Sequence, residues 1–327
     1  MEQQIISLYD IDNKYRSDHG CVIGVDEAGR GPLAGPVTAA AVYFSPDKHS
    51  ELIRDSKKLS EKQRETAYEW IVENADGWAV HSIGVQAINK INILQASLVA
   101  MQRAVEKTGV KDAHVLIDGT IVPAALRECA HPVPGGDGIS FCIAAASVLA
   151  KVTRDRIMKR WAEIYPEYGF ERHKGYGTSM HLKAIETNFP TPIHRGSFSP
   201  VKNIKFPEYP DKKFLGRWGE NWAIYYLILK GYHFISRNYY GGKNGEIDII
   251  MRENDVFIMI EVKSAFGKSE YEITERVSEE KIQKMLSAAE HYFYNLNISE
   301  YNVRFDAVTV SGRDSNMPHI EHYKNII

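Results

Sequence analysis

The stretch Gly24-Val25-Asp26-Glu27-Ala28-Gly29-Arg30-Gly31-Pro32-Leu33-Ala34-Gly35-Pro36 decides the fold of the first half of the chain. It sets two adjacent carboxylates at the end of an apolar strand and follows them with an arginine bracketed by glycines. Buried acids are costly unless they are paired, protonated or bound to a cation. Glycine lets a backbone approach a sugar or phosphate that a Cβ would push away. A divalent ion and a nucleic-acid backbone meet both requirements, which points to metal-assisted chemistry on a phosphodiester.

Gly29, Gly31 and Gly35 invite comparison with a dinucleotide-binding loop, but such a loop must open a helix whose N-terminus receives the pyrophosphate. The next stretch of chain is Val37-Thr38-Ala39-Ala40-Ala41-Val42-Tyr43-Phe44, short, apolar and partly β-branched. It reads as a second strand returning antiparallel to the first. Further strands are expected near 78–83 and 113–118, with helical periodicity in 60–74, 91–107 and 143–164. Strands interleaved with helices predict an α/β layered domain with a mixed sheet and an active site at strand ends.

With 327 residues, 44% of them hydrophobic and 25% charged, the chain is comfortable as two globular domains. Ser199 to Lys213 carries three prolines without periodicity and reads as a linker. The expected boundary lies near 207, dividing the chain into 1–206 and 207–327. No basic start is followed by an apolar segment, and no apolar run reaches membrane-spanning length. A cytoplasmic location without membrane contact is the expectation. Cys21, Cys129 and Cys142 lack the spacing of a disulfide framework or a zinc site. Residues 211–327 hold 15 basic and 17 acidic side chains, and residues 1–210 hold 25 of each. Contact with a polyanion must therefore come from local clusters.

In-line cleavage of a phosphodiester benefits from divalent ions, hence from several gathered carboxylates. Four candidates stand out: Asp26 and Glu27, Asp118 after the apolar Val115-Leu116-Ile117, and Asp137 just before a helix beginning around Ile139. Neighbours on a regular strand point to opposite faces. Glu27 is therefore expected where the strand ends, with Gly29 letting the chain bend just after it. A strand-end acid facing solvent is the alternative for each. Ser147, Lys151 and Arg154 fall at i, i+4 and i+7 of one helix, opposite an apolar stripe of Ala145, Val148 and Val152. With Lys57 and Lys58 they offer a phosphate-binding face, the alternative being a solvated one. Asp155 is read as a structural or surface acid.

The run Gly24 to Pro36, together with Asp55-Ser56-Lys57-Lys58-Leu59-Ser60, Leu116-Ile117-Asp118-Gly119, Gly136-Asp137, Ile143 to Asp155 and His173-Lys174-Gly175-Tyr176-Gly177-Thr178, resembles in order the motifs of the ribonuclease HII family. The resemblance spans about residues 20–200. It implies a ribonuclease H-like mixed sheet flanked by helices, with Asp26, Glu27, Asp118 and Asp137 as ligands of Mn²⁺ or Mg²⁺. The implied activity is cleavage of the RNA strand of RNA/DNA hybrids and of single ribonucleotides in duplex DNA, leaving a 3′-hydroxyl and a 5′-phosphate. Gly29-Arg30-Gly31 matches the element that reads the 2′-hydroxyl through backbone groups, and Tyr176 the aromatic that packs on the neighbouring sugar. A turn serving the fold and a packing tyrosine are the plainer alternatives. An actin-like ATPase domain with a DNA-binding C-terminal module is the rival reading, although its second phosphate loop and adenosine segment are not found.

In the second half, a helix from Leu215 to Lys230 ended by Gly231 precedes two strands, 245–250 and 256–263, joined at Asn254-Asp255 as a hairpin. Glu246 and Asp248 share a face of the first strand, Glu261 and Lys263 a face of the second. Asp248, Glu261 and Lys263, with Glu220 on the helix, resemble the PD-(D/E)xK nuclease constellation, particularly that of Holliday-junction resolvases. The segment from Gly216 to Asp306 is similar to the YraN-like family. This implies a smaller α/β restriction-endonuclease-like domain acting as a DNA nuclease or DNA-binding module. A salt-bridged polar sheet face is the alternative.

Overall fold

The computed structural model describes residues 8–266, 279–312 and 317–327. It divides into two compact units, one running to Asn188 with His194–Val201, the other Phe189–Ile193 with Lys202–Ile327. No helix among the described residues is long and apolar enough to cross a membrane.

The first unit runs α1 (Asp10–His19), β1 (Cys21–Ala28), β2 (Val37–Tyr43), α2 (Glu61–Asn74), β3 (Gly77–Ile83), α3 (Val85–Ile91), α4 (Ile93–Thr108), β4 (Ala113–Asp118), β5 (Ala130–Val133), α5 (Phe141–Ile164), α6 (Phe170–His173) and α7 (Ser179–Asn188). Its sheet has the order β3-β2-β1-β4-β5. β1 pairs antiparallel with β2 and parallel with β4, giving the expected mixed sheet. Ile23, Val25, Ala39 and Ala41 pack against Ala100, Met101 and Ala104 of α4 on one face. Ala40 and Val42 pack with Phe141, Ala145 and Val148 of α5 on the other. Strand alternation therefore sorts residues between two cores.

Gly24 is what lets α5 lie so close to β1: a Cβ there would stand 2.1 Å from the Cys142 carbonyl carbon and 2.3 Å from the Ile143 nitrogen. The start of α5 is fastened as well. Ser140 caps it by accepting from the Ile143 N–H. Asp12, fully buried, accepts from the Ser140 hydroxyl at 2.6 Å and from the Cys142 N–H at 2.9 Å. Asp12→Ala strands both donors and is expected to cost about 2–4 kcal/mol, seen as a lower urea midpoint with unchanged slope.

Two expectations need correction. The helix read over 91–107 is broken at Asn92, whose φ of 66° ends α3 and whose side chain accepts from the Gln95 N–H to cap α4. The amphipathic reading of α5 fails too, because every residue from Phe141 to Ala150 is buried. This helix is enclosed by the sheet on one side and by α2 and other segments elsewhere.

The second unit contains α8 (Lys212–Leu229), β6 (His233–Tyr240), β7 (Glu246–Glu253), β8 (Val256–Phe266), α9 (Glu279–Asn295), β9 (Asn302–Gly312) and β10 (His319–Tyr323). Asp211 caps α8, and Gly231 follows its end at φ 91°. The sheet order is β10-β9-β8-β7-β6. β7 and β8 form the expected hairpin, with Asn254 at φ 53° in the turn. β8 and β9 are parallel. Ile247, Ile250, Met259 and Phe305 bury against Met285, Ala288, Ala289 and Phe293 of α9.

Candidate metal centre and nucleic-acid interface

Asp26 and Glu27 lie at the C-terminal end of β1 and Asp118 at that of the parallel β4, one residue past the pair Val25↔Ile117. β1 ends at Ala28, one residue past Glu27, and Gly29 follows at φ 99°. Pairing with β2 continues through Glu27↔Ala39 and Ala28↔Thr38. Asp26 accordingly shares the α5 face with Gly24, whereas Glu27 faces α4, lining a cleft of about 160 Å³ with Arg30, Asp118 and the α4 residues Leu94 and Met101. Asp118 ends the neighbouring strand and is itself paired with Val133 of β5. Its Oδ1 accepts from the Gly136 N–H at 2.7 Å, which brings the turn carrying Asp137 to the strand end.

Burial raises the Asp26 carboxyl well above the ordinary carboxylate value, reinforced by Glu27, Asp118 and Asp137. Burial also raises Glu27, against the pull of Arg30, and raises Asp118, with Asp137 adding repulsion. Four acids that feel one another in a desolvated corner need positive charge. Each carboxylate already has a partner: Lys57 Nζ is 2.8 Å from Asp137, Arg30 Nη1 is 3.4 Å from Glu27, and Asp26 accepts from the Glu27 N–H at 2.6 Å. Among the described residues no three potential ligands are drawn around one point as they stand. The donor set nevertheless fits a hard divalent cation: oxygen only, anionic, and mutually repelling. Protons compete with such a cation. Cleavage should therefore rise with pH along a limb lying above the ordinary carboxylate range, and more Mg²⁺ should move that limb to lower pH. A pH–rate profile at two Mg²⁺ concentrations checks this, and a limb insensitive to Mg²⁺ contradicts it.

Gly29, at φ 99°, leaves room for the Arg154 side chain, whose Nε would lie 2.1 Å from a Cβ placed there. Arg30 is exposed, and Gly31 faces the half-exposed ring of Tyr176. Lys57 and Lys58 are exposed beside Asp137 and in the same short turn. The proposed phosphate face of α5 is not brought to the surface. Ser147 is buried and donates to the Ala144 carbonyl. Lys151 pairs with Asp155 at 2.7 Å. Arg154, 1% exposed, donates to the carbonyls of Pro36, Lys174 and Ala34. It is a backbone clamp: three of its five N–H donors are held by carbonyls, and the buried side chain does not reach the surface where a phosphate would sit.

In the second unit, Glu261 is buried between two ammonium groups, Lys263 Nζ at 2.5 Å from Oε1 and Lys281 Nζ at 2.9 Å from Oε2. Asp248 accepts from the Val262 N–H at 2.7 Å, and burial together with Glu261 pushes its carboxyl up to about 7. Glu220 is paired with Arg237 at 2.7 Å and adds its charge to those that raise Asp248. Lys281, on α9, was not legible as a member of this cluster. Nor were Arg195, His181 and His194 legible in the first unit.

The family model for ribonuclease HII matches residues 23–201, and that of the uncharacterised protein family UPF0102 matches residues 219–310. Ribonuclease HII of Idiomarina loihiensis is 54% identical over 183 residues, which cover 56% of this chain and 97% of that protein. Ribonuclease HII of Marinomonas sp. (strain MWYL1) is 51% identical over 181 residues, 55% of this chain and 91% of that protein. Among solved structures, the ribonuclease H2 from Pyrococcus horikoshii OT3 aligns with a TM-score of 0.48 at 23% identity, over 56% of this chain and 96% of that one.

Proposed function

The chain belongs to the ribonuclease HII family, and on that premise we propose that it nicks cytoplasmic duplexes on the RNA strand of RNA/DNA hybrids and at single ribonucleotides embedded in DNA. The products carry a 3′-hydroxyl and a 5′-phosphate. The observation that carries this reading is that Asp26, Glu27 and Asp118 stand at the ends of two neighbouring parallel strands, with the Gly136 N–H bonded to Asp118 so that the turn of Asp137 lies beside them.

Asp26, Glu27, Asp118 and Asp137 would hold the divalent cation, Mg²⁺ or Mn²⁺, and their mutual repulsion is relieved when it binds. The cation supplies Lewis-acid stabilisation of the charge that develops on the phosphodiester oxygens. Lys57, on a flexible stem beside Asp137, neutralises that carboxylate before the cation arrives and is then placed to meet a phosphate. Arg30 plays the same part for Glu27. The backbone at Gly29-Arg30-Gly31 reads the 2′-hydroxyl, and the Tyr176 ring, 45% exposed, packs on the adjoining sugar.

The second unit is a nuclease-like module, in which we place DNA binding or cleavage at Asp248, Glu261 and Lys263, with Glu220 beside them. Lys281 holds Glu261 in the meantime.

The test uses the full chain with three duplexes: all-DNA, DNA carrying one ribonucleotide, and RNA/DNA hybrid, each with and without Mg²⁺ or Mn²⁺. Nicking of the latter two, dependent on the cation and leaving ends that a DNA polymerase extends, is expected. Cleavage of all three alike, or hydrolysis of ATP without nicking, contradicts the reading. Asp248→Asn, run beside the parent on branched DNA, separates a cutting second unit from a binding one.

A further inference from the structure

Three stretches distant in sequence are stitched together around the ribonucleotide-reading loop. The Leu33 N–H donates to the Gly175 carbonyl at 2.8 Å, and the Arg195 N–H to the Leu33 carbonyl at 2.7 Å. Ala34 and His194 form an antiparallel bridge. Beneath the loop lies Arg195, wholly buried. Its Nε donates to the Gly35 carbonyl at 3.0 Å, Nη1 to the Arg30 carbonyl at 2.9 Å, and Nη2 to those of Gly29 at 2.5 Å and Pro36 at 3.1 Å. Arg154 links the same loop to the next by joining Ala34 and Pro36 to Lys174. No carboxylate pairs with either guanidinium among the described residues, and burial pushes both below the usual arginine value.

Burying two cations with no carboxylate in salt-bridge contact is costly, and their hydrogen bonds to the loop carbonyls are what offsets it. What Arg195 fixes is orientation. A trans peptide is planar, with its C=O and the following N–H pointing in opposite directions. Holding the Gly29 and Arg30 carbonyls inward therefore aims the Arg30 and Gly31 N–H groups outward. The Tyr176 side is braced in turn. His181 Nδ1 donates to the Tyr176 carbonyl at 3.0 Å, which leaves its Nε2 to accept from His194 Nε2 at 3.1 Å. Burial lowers His181 to about 4, so its ring stays neutral at working pH.

Building on the ribonucleotide-cleaving reading above, we propose that Arg195 is a positioning residue for ribonucleotide recognition: it turns the Arg30 and Gly31 N–H groups toward the 2′-hydroxyl and, with Arg154, holds them at a fixed spacing from Tyr176. Lysine cannot replace it, since one ammonium has three donors diverging from a point where the guanidinium has a planar fork.

The experiment compares the parent with Arg195→Lys in the full chain. Affinities for the single-ribonucleotide duplex and its all-DNA counterpart are measured in Ca²⁺, and single-turnover cleavage in Mg²⁺. The parent should prefer the ribonucleotide by about tenfold or more, the worth of a hydrogen bond or two. Arg195→Lys should bind both duplexes alike, because phosphate contacts supply most of the affinity, and should cleave about a hundredfold more slowly. Parent-like preference and rate in Arg195→Lys overturn the proposal. So does equal weakening toward both duplexes with the preference intact, the mark of a merely structural role. Should Arg195→Lys fail to fold, amide exchange of the parent decides: Arg30 and Gly31 must gain protection with the ribonucleotide duplex and not with all-DNA, and equal protection by both overturns it. A parent that nicks nothing would instead sink the functional reading itself.

Discussion

Replacing Asp26 by Asn is expected to reduce cation-dependent nicking by about 10³-fold or more while making the cation-free protein more stable. The second effect comes from the sign of the shift. Burial and the charges of Glu27, Asp118 and Asp137 raise the folded-state Asp26 carboxyl, so the native protein holds that proton more tightly than the unfolded chain does. Folding stability then falls as pH rises from the ordinary carboxylate value through the raised one, so the ionised side chain is a burden on the fold. Asn carries no charge to lose. A gain of about 0.5–2 kcal/mol is typical of relieving such a site, or roughly 2–4 °C in Tm per kcal/mol for a domain of this size. Added Mg²⁺ should stabilise the parent more than the variant, because ligand binding to the native state alone raises stability. Thermal unfolding of both proteins, with and without Mg²⁺, checks the balance. A variant that is both active and unshifted would place the chemistry elsewhere.

Gly24→Ala should have the largest effect on folding. The added methyl meets the Cys142 carbonyl carbon at 2.1 Å, the Ile143 nitrogen at 2.3 Å and the Cys142 Cβ at 2.6 Å. Two of those atoms are helix backbone and cannot swing aside as a side-chain tip would. α5 must lift from β1, opening the interface that Phe141, Ala145 and Val148 fill. A loss of about 3–5 kcal/mol is expected, at the upper end of overpacking effects. Because Asp137 lies in the turn leading into α5, any folded fraction should also cleave poorly. Urea denaturation measures the first effect, and a midpoint near the parent's would contradict the close packing described.

The sheet and its acids were legible because their signals are local. Short apolar runs mark β1, β2 and β4, and a carboxylate closing such a run is conspicuous at Asp26 and Asp118 alike. β5 was not legible: four residues including Pro132 make no pattern. The break at Asn92 rests on the backbone angle of one residue. Arg154 and Arg195 show a different limit. A buried guanidinium spent on carbonyls and a surface guanidinium waiting for phosphate are the same letter, and the partners of Arg195 lie about 160 residues away. The spacing that put Arg154 beside Lys151 on one helix face was sound, but helical geometry says nothing about what covers that face. Lys281 escaped for the same reason, since only the packing of α9 on the sheet brings it to Glu261.

The most direct measurement is Mn²⁺ titration, read from the paramagnetic resonance of the free ion, on the full chain carrying Asp248→Asn and Glu261→Gln so that the second acid cluster does not contribute. Set beside the same protein with Asp26→Asn added, the first should bind Mn²⁺ and nick the single-ribonucleotide duplex, and the second should lose both together. Equal Mn²⁺ binding and equal nicking by the two would mean that Asp26, Glu27, Asp118 and Asp137 do not share the catalytic cation.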